Sequence, residues 1–318
     1  MRTITLGLSG IQVTELCFGA LPIGPNQKDV PADEAAEVIA EALRAGINFV
    51  DTAEIYKTYP YIREAVRRTG IQPVIATKSP ASTYEDMCES VEKALAELAV
   101  SKLDIFLLHA ARVGEDVFEK RAGALQCLLD YKARGIINAV GISTHDAKVA
   151  ALAADRDDID VLFPILNIKG LGILNGSRAD MENAAARAMN ARKGVYLMKA
   201  LGGGNLAGDY EASMEYARGF ANGRAALAVG MVNTDELAMN VKYFNGESIE
   251  EYRAGLKTVP KKRFLVVPQL CAGCGNCVEA CHSGAARLEA GRAVIDDGKC
   301  VTCGYCVGAC GMFAIRMV

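Results

Sequence analysis

Short apolar runs alternate with amphipathic stretches along roughly the first 243 residues. Apolar runs of four to eight residues are typical of buried strands, and apolar positions three and four residues apart are typical of helices. The opening segment predicts a hairpin that leads into a first strand over residues 13–18. The seven further predicted strands are 47–50, 73–77, 103–108, 139–142, 161–166, 195–198 and 225–229.

The amphipathic stretches between these strands predict helices. These cover 31–45, 82–98 and 117–134, with further helices starting near Asp146, Ala179 and Thr234. Ser82 and Glu85 match a capping box at the start of the second helix. Eight strand–helix units in about 243 residues predict a closed (β/α)8 TIM barrel, because doubly wound sheets usually have fewer strands.

Composition and charge exclude several classes of protein. The chain is 51% hydrophobic and 23% charged, a balance that excludes disordered and fibrous proteins. Its net charge of −3 is not typical of nucleic-acid binding, which usually needs a concentrated basic face. No apolar run approaches the roughly 20 residues of a membrane span, and the N-terminus lacks a signal peptide's apolar core. We therefore expect a soluble, cytoplasmic protein with neither a nucleic-acid nor a membrane partner.

Eight of the 11 cysteines lie in the last 48 residues. They form the pattern C-x2-C-x2-C-x3-C twice, the spacing of bacterial two-cluster ferredoxins, in which each fourth cysteine ligates the other cluster. A pair of zinc sites is the alternative, but a third cysteine two residues further on is not zinc spacing. The predicted ligands are Cys271, Cys274, Cys277 and Cys310 for one [4Fe–4S] cluster and Cys300, Cys303, Cys306 and Cys281 for the other.

These patterns divide the chain into two domains and a segment that connects them. We expect a barrel over 1–243, a partly helical connecting segment over 244–268, and a small α+β bacterial-ferredoxin-like domain over 269–318. A helical path through the connecting segment could span about 38 Å, enough to climb the barrel wall. We therefore predict that it returns along the barrel and places one cluster near the carboxyl ends of the strands. Apolar groups that could hold it there are Tyr252, Leu256, Phe264 and Leu265.

Polar side chains end three consecutive predicted strands. Asp51 follows the second strand, Lys78 the third and His109 the fourth, and Tyr56 lies five residues beyond Asp51. In a βα barrel these strand ends lie side by side at the catalytic face. Each residue alone could be a helix cap or a packing residue, but four such groups together indicate an active site.

These segments resemble the aldo-keto reductases. The matching stretches are 48–56 (NFVDTAEIY), 76–80 (ATKSP), 107–109 (LLH) and 201–204 (LGGG). The whole chain is similar to the reductases that carry a C-terminal two-cluster ferredoxin domain. The resemblance implies that Tyr56 is the general acid or base at a carbonyl or alcohol oxygen, with its pKa lowered by Lys78. Asp51 would orient Lys78, and His109 would donate a hydrogen bond to the substrate oxygen.

The resemblance also implies a nicotinamide site, for which the chain offers a partial set of residues. The candidates are Ser143, Asn167, Met198, Gly202, Gly203 and Asn240. Thr144 and Phe163 stand where the family usually has two amides, and Met198 stands for a stacking aromatic. Glu236 lies near the position of the arginine that grips the ribose phosphate, and its charge has the wrong sign. We therefore expect weak or no binding of NADP(H) or NAD(H).

The leading functional hypothesis is an oxidoreductase that acts on a small carbonyl or alcohol substrate. Its two clusters would relay electrons to or from a redox partner protein or the active site. One alternative is a conventional NAD(P)H-dependent carbonyl reductase with structural or sensory clusters. Another is a non-catalytic electron-transfer protein, which the four matching catalytic positions disfavour.

Overall fold

A hairpin precedes the barrel, as the opening segment predicts. In the computed structural model, which describes residues 1–111, 113–258, 263–281, 283–312 and 314–317, β1 (Thr3–Thr5) pairs antiparallel with β2 (Gln12–Thr14). The hairpin lies at the amino-terminal end of the barrel, where the Leu8 backbone N–H donates to the Arg192 carbonyl just before a barrel strand.

Eight parallel strands then close into a barrel, which confirms the predicted fold. Each strand pairs with its neighbours in chain order, and the last strand pairs with the first. The strands are β3 (Leu16–Gly19), β4 (Phe49–Asp51), β5 (Val74–Ser79), β6 (Leu103–His109), β7 (Ile137–Thr144), β8 (Val161–Pro164), β9 (Gly194–Met198) and β10 (Ala225–Gly230).

Helices surround the strands. They are α1 (Ala32–Arg44), α2 (Tyr59–Thr69), α3 (Tyr84–Leu98), α4 (Val117–Lys120), α5 (Ala122–Ala133), α6 (Ala147–Asp155), α7 (Arg178–Asn190), α8 (Tyr210–Ala221) and α9 (Thr234–Asn245). The sequence pattern missed α2 and α8, and the helix predicted over 117–134 is divided at Arg121. Thr83 caps α3 instead of Ser82, because its side chain accepts the Asp86 backbone N–H. Within the described ranges, every helix is too short or too polar to cross a membrane.

Two hydrophobic layers hold the barrel together. The outer layer lies between strands and helices, where Ile39, Leu108 and Leu128 are fully buried. The inner layer fills the barrel and includes Leu6 from the hairpin and Tyr196 from β9. Burial of such side chains contributes roughly 1.5–3 kcal/mol each, so the barrel is a packed core with its strand ends held in fixed positions.

The connecting segment contains α10 (Glu250–Thr258), which packs near the turn Ala207–Asp209 beyond β9. Tyr252 and Leu256 contact the outer core of the barrel, as the sequence predicts. The other two predicted contacts differ, because Phe264 is buried in the C-terminal unit and Leu265 is 43% exposed.

The C-terminal unit is built from two similar halves. β11 (Phe264–Val266), inside the predicted connecting segment, pairs with β14 (Ile315–Met317), and β12 (Ala286–Glu289) pairs with β13 (Arg292–Ile295). A short helix follows the second cysteine of each half. These helices are α11 (Asn276–Ala280) and α12 (Tyr305–Ala309).

Candidate active site

The barrel brings the four predicted catalytic residues to one place. Asp51 is the last residue of β4, Lys78 lies near the end of β5, and His109 ends β6. Tyr56 ends a short 3₁₀ turn, Glu54–Tyr56, directly after β4. All four side chains are buried, and Lys78 is only 1% exposed. The carboxyl ends of neighbouring parallel strands therefore place a cation, a carboxylate, a phenol and an imidazole at the barrel mouth.

Lys78 and Asp51 form a buried ion pair. The Lys78 Nζ donates to both carboxylate oxygens of Asp51 at 2.8 Å and to the Thr52 carbonyl at 2.7 Å. The Tyr196 hydroxyl donates to Asp51 Oδ1 at 3.0 Å. Burial raises the pKa of Asp51 and lowers the pKa of Lys78, and the partner's charge opposes each shift. Asp51 therefore fixes the position of the ammonium group.

The pKa of Tyr56 differs from what the resemblance implies. The Lys78 Nζ lies 5.0 Å from the centre of the Tyr56 ring and donates hydrogen bonds to Asp51 and Thr52. Burial, followed by the neighbouring Tyr305, raises the pKa of Tyr56 well above its usual value. The phenol is therefore held in its protonated form, and the lowered pKa that the resemblance implies is not found in this arrangement.

His109 is neutral in this environment. Burial, followed by the charge of Lys78, holds its pKa well below the usual value. Its ring lies edge-on to Tyr56, with ring centres 5.9 Å apart. Among the described residues, Nδ1 of His109 has no hydrogen-bond partner, and its Nε2 faces Tyr305. His145 is also buried, and burial lowers its pKa to about 3, so it too is neutral.

Tyr305 is a site residue that the sequence analysis missed. It lies in α12, between Cys303 and Cys306, yet its hydroxyl lies 3.2 Å from the Tyr56 hydroxyl and 3.0 Å from His109 Nε2. One sequence signal could have identified it. The two cysteine motifs are offset by 29 residues, and the second has a phenol where the first has Asn276.

Further hydrogen bonds attach the second cysteine motif to the mouth. The Gln27 side chain donates to the carbonyls of Thr302 and Cys303, at 2.9 and 3.2 Å. Asn205 donates to the Cys300 carbonyl at 2.9 Å, and the Thr302 hydroxyl donates to the Gly203 carbonyl. The structure thus places this motif beside the catalytic residues, as the length of the connecting segment predicts.

The eight motif cysteines form two groups that exchange a member between the halves. Burial raises the pKa of Cys277, and the charges of Cys310, Cys271 and Cys274 raise it further. Burial raises the pKa of Cys306 most, followed by the charges of Cys303, Cys300 and Cys281 and then by that of Cys277. The assignment of these cysteines to two clusters stays a prediction from their spacing.

The donors around these sulfurs suit iron–sulfur clusters. Backbone N–H groups point at Cys271, Cys281 and Cys310, with nitrogen–sulfur distances of 3.2–3.3 Å. Such hydrogen bonds stabilise cluster-bound thiolates. Within the described residues no three potential ligands converge to hold a single metal ion, whereas a four-iron cluster spaces its thiolates around its corners.

Several of the predicted nicotinamide contacts already have partners within the protein, whereas Met198 lines a cavity. The Asn167 side chain exchanges two hydrogen bonds with the Leu171 backbone, at 2.9 and 3.0 Å. Asn240 accepts from the Tyr210 hydroxyl at 2.8 Å and donates to the Glu236 carbonyl at 2.7 Å. Ser143 is buried, and the Gly202–Gly204 turn lies under the second cysteine motif. A Cβ on Gly203 would overlap the Val301 carbonyl, so glycine is required there.

A cavity of about 430 Å³ runs from Tyr56 past Met198 to α10. Its lining contains the carboxylates of Asp51, Asp235 and Glu236, with Lys199 as a cation in the part of the chain that is described. Glu236 accepts the Val232 backbone N–H at 2.9 Å, which holds its carboxylate at this end of the cavity. Because carboxylates repel phosphate, Asp235 and Glu236 oppose tight binding of a nicotinamide nucleotide at this end of the cavity.

Residues 15–221 match the family model of the aldo/keto reductases. The chain belongs to the aldo/keto reductase family. Residues 263–311 match the model of 4Fe-4S dicluster domains, so this reductase carries a ferredoxin-like iron–sulfur domain. Membership of this family places the chain among the oxidoreductases.

Relatives with named activities are distant. The L-galactose dehydrogenase of Arabidopsis thaliana is 26% identical over 205 residues, which are 54% of this chain and 63% of the relative. The 6-dehydroglucose reductase of Novosphingobium aromaticivorans is 30% identical over 175 residues, 46% of this chain and 53% of the relative. The chain thus spans about half the length of the curated relatives it matches.

A solved structure supports the barrel assignment over more of the chain. An aldo-keto reductase of Pseudomonas aeruginosa superposes with a TM-score of 0.65 at 25% identity, over 77% of this chain and 94% of its own. That protein is matched over nearly its whole length, and part of this chain lies outside the match.

Proposed function

We propose that this reductase interconverts a carbonyl and an alcohol at the group formed by Asp51, Tyr56, Lys78 and His109. The electrons pass through two [4Fe–4S] clusters that exchange them with a redox partner protein. The observation that carries the proposal is the direct contact between the second cysteine motif and two of these residues, through the Tyr305 hydroxyl.

The side chains supply the acid–base part of this chemistry. Neutral His109 can donate a hydrogen bond to a substrate oxygen, and protonated Tyr56 can deliver a proton to it during reduction. The buried Lys78 ammonium, fixed by Asp51, favours negative charge that develops on the oxygen. In the oxidative direction the same phenol position receives the proton.

Electron balance supports the use of two clusters. Reduction of a carbonyl to an alcohol takes two electrons and two protons, of which Tyr56 supplies the one on oxygen and solvent water the one on carbon. When bound, each cluster would supply one electron at a time. Cys274 in the first group is exposed, whereas Cys303 in the second group is buried against the barrel. The first group therefore faces solvent and a partner, and the second faces the site.

A conventional NAD(P)H-dependent reductase with structural or sensory clusters is the second candidate. The cavity between Tyr56 and α10 favours it, because it extends from the catalytic residues along the strand ends. The carboxylates of Asp235 and Glu236 in its lining oppose it, as do the engaged amides of Asn167 and Asn240.

Anaerobically prepared protein is expected to contain about eight irons and eight sulfides per chain. The reason is that the eight cysteines form two groups of four, each with one member from the other half. Iron and acid-labile sulfide analysis tests this number. Four irons per chain would leave one cluster, and stoichiometric zinc without sulfide would replace the cluster assignment.

Reduced ferredoxin, but not NADPH or NADH, is expected to bleach the visible absorbance of the clusters. The same protein should show no saturable calorimetric binding of either nucleotide up to about 1 mM, the upper end of ordinary KM values. Tight NADPH binding with NADPH-dependent turnover would favour the second candidate. Cluster reduction by a partner without any carbonyl or alcohol turnover would leave only electron transfer.

A further inference from the structure

The hydroxyl of Tyr305 occupies the space between Tyr56 and His109. It is within hydrogen-bonding distance of both, at 3.2 and 3.0 Å. Its ring lies nearly parallel to that of Tyr56, with centres 6.4 Å apart, and edge-on to His109 at 5.8 Å. Under the proposed function, Tyr56 and His109 are the two groups that bind the substrate oxygen. The phenol oxygen therefore stands where that oxygen would bind.

Cluster ligation does not explain this tyrosine. The first cysteine motif builds the same turn and helix with Asn276, which is exposed, at the equivalent position. It also has Gly273 where the second motif has Thr302. Both residues have positive φ, +66° for Gly273 and +48° for Thr302, a conformation that disfavours a β-branched residue. The second motif therefore carries features that its own fold does not need.

Those features attach the motif to the barrel. The Thr302 hydroxyl donates to the Gly203 carbonyl, and Gln27 and Asn205 hold the neighbouring backbone carbonyls. Asn26 also lies close to this motif: a Cβ on Gly304 would overlap the Asn26 carbonyl. The strained Thr302 gains a hydrogen bond only in the docked arrangement, which seats Tyr305 in the mouth.

We propose that Tyr305 is a built-in ligand of the oxygen site, which excludes phenols, alcohols and carbonyl compounds until its side chain is displaced. That the substrate oxygen binds at this site rests on the proposed function. Because two oxygen atoms cannot share one position, a seated Tyr305 and a bound substrate exclude each other. Tyr305 would thus determine which compounds enter, since each must compete with a phenol already held by two hydrogen bonds.

The test uses p-cresol, which is the tyrosine side chain as a free molecule. Calorimetry on the anaerobic holoprotein should show 1:1 binding to Tyr305→Ala at least about tenfold tighter than to the wild type, the effect of one good hydrogen-bonded contact. Asn276→Ala is the matched control, because it removes the side chain at the equivalent position beside the other cluster. It should bind p-cresol no better than the wild type. Adding His109→Ala to Tyr305→Ala should weaken the binding again.

Equal affinity of the wild type and Tyr305→Ala for p-cresol would overturn the proposal, as would no binding to a Tyr305→Ala protein with its full iron content. If Tyr305→Ala loses its clusters, Tyr305→Phe replaces it. That variant keeps the ring but loses both hydrogen bonds, so p-cresol should displace the ring and bind more tightly than to the wild type, and unchanged affinity would reject the proposal. Since p-cresol binding needs no turnover, these results stand apart from any failure of the proposed carbonyl chemistry.

Discussion

Replacement of Tyr56 by phenylalanine is expected to lower turnover of a carbonyl or alcohol substrate by about 10²- to 10⁴-fold, the usual contribution of a positioned acid–base group. The Tyr56 phenol lies above the Lys78 ammonium at the barrel mouth and is held protonated by burial. Steady-state kinetics under anaerobic conditions measure the loss. Iron and sulfide content should not change, because the cluster ligands lie in the other domain.

Tyr61→Phe is the control for this experiment. Tyr61 lies on α2, five residues further along the chain, and packs partly buried against the outer core of the barrel. Its phenylalanine variant should keep wild-type turnover. Wild-type turnover in Tyr56→Phe would instead mean that the four strand-end residues are not the catalytic unit.

Replacement of Lys78 by methionine is expected to lower the free energy of unfolding by about 3–5 kcal/mol, the usual cost of leaving a buried charge without its partner. Asp51 would keep the Tyr196 hydrogen bond but lose two contacts of 2.8 Å. Urea unfolding at neutral pH, followed by far-ultraviolet circular dichroism, measures the change. A second change, Asp51→Leu, should recover part of the loss because it removes the unpaired carboxylate.

Lys148→Met provides the matched control at the surface. Lys148 pairs with Glu115 at 2.8 Å, but both side chains are 57% exposed. Exposed pairs of this kind contribute about 0–1 kcal/mol, so its loss should be small. A similarly small loss in Lys78→Met would show that the Asp51 environment is more hydrated than its burial indicates.

Local patterns were sufficient to predict the barrel and the iron–sulfur domain. The periodicity of apolar residues in strands and helices involves residues close in sequence, and the cysteine motif from Cys271 to Cys281 spans 11 positions. The sequence analysis missed α2, although its buried residues Tyr59, Ile62 and Ala65 recur at helical spacing, because its charged residues make the segment polar as a whole. It also missed α8, although the buried residues Tyr210, Met214 and Ala217 recur at helical spacing.

The sequence by itself determined which residues end the strands, and it predicted which cysteines share a cluster, because both follow from spacing along the chain. Only the tertiary structure decided what those residues contact. The Lys78 ammonium donates to Asp51 and Thr52 and lies 5.0 Å from the centre of the Tyr56 ring. Tyr305 reaches Tyr56 across 249 residues and His109 across 196 residues. Contacts over such separations depend on how two folded units dock, which the period and spacing of a sequence do not encode.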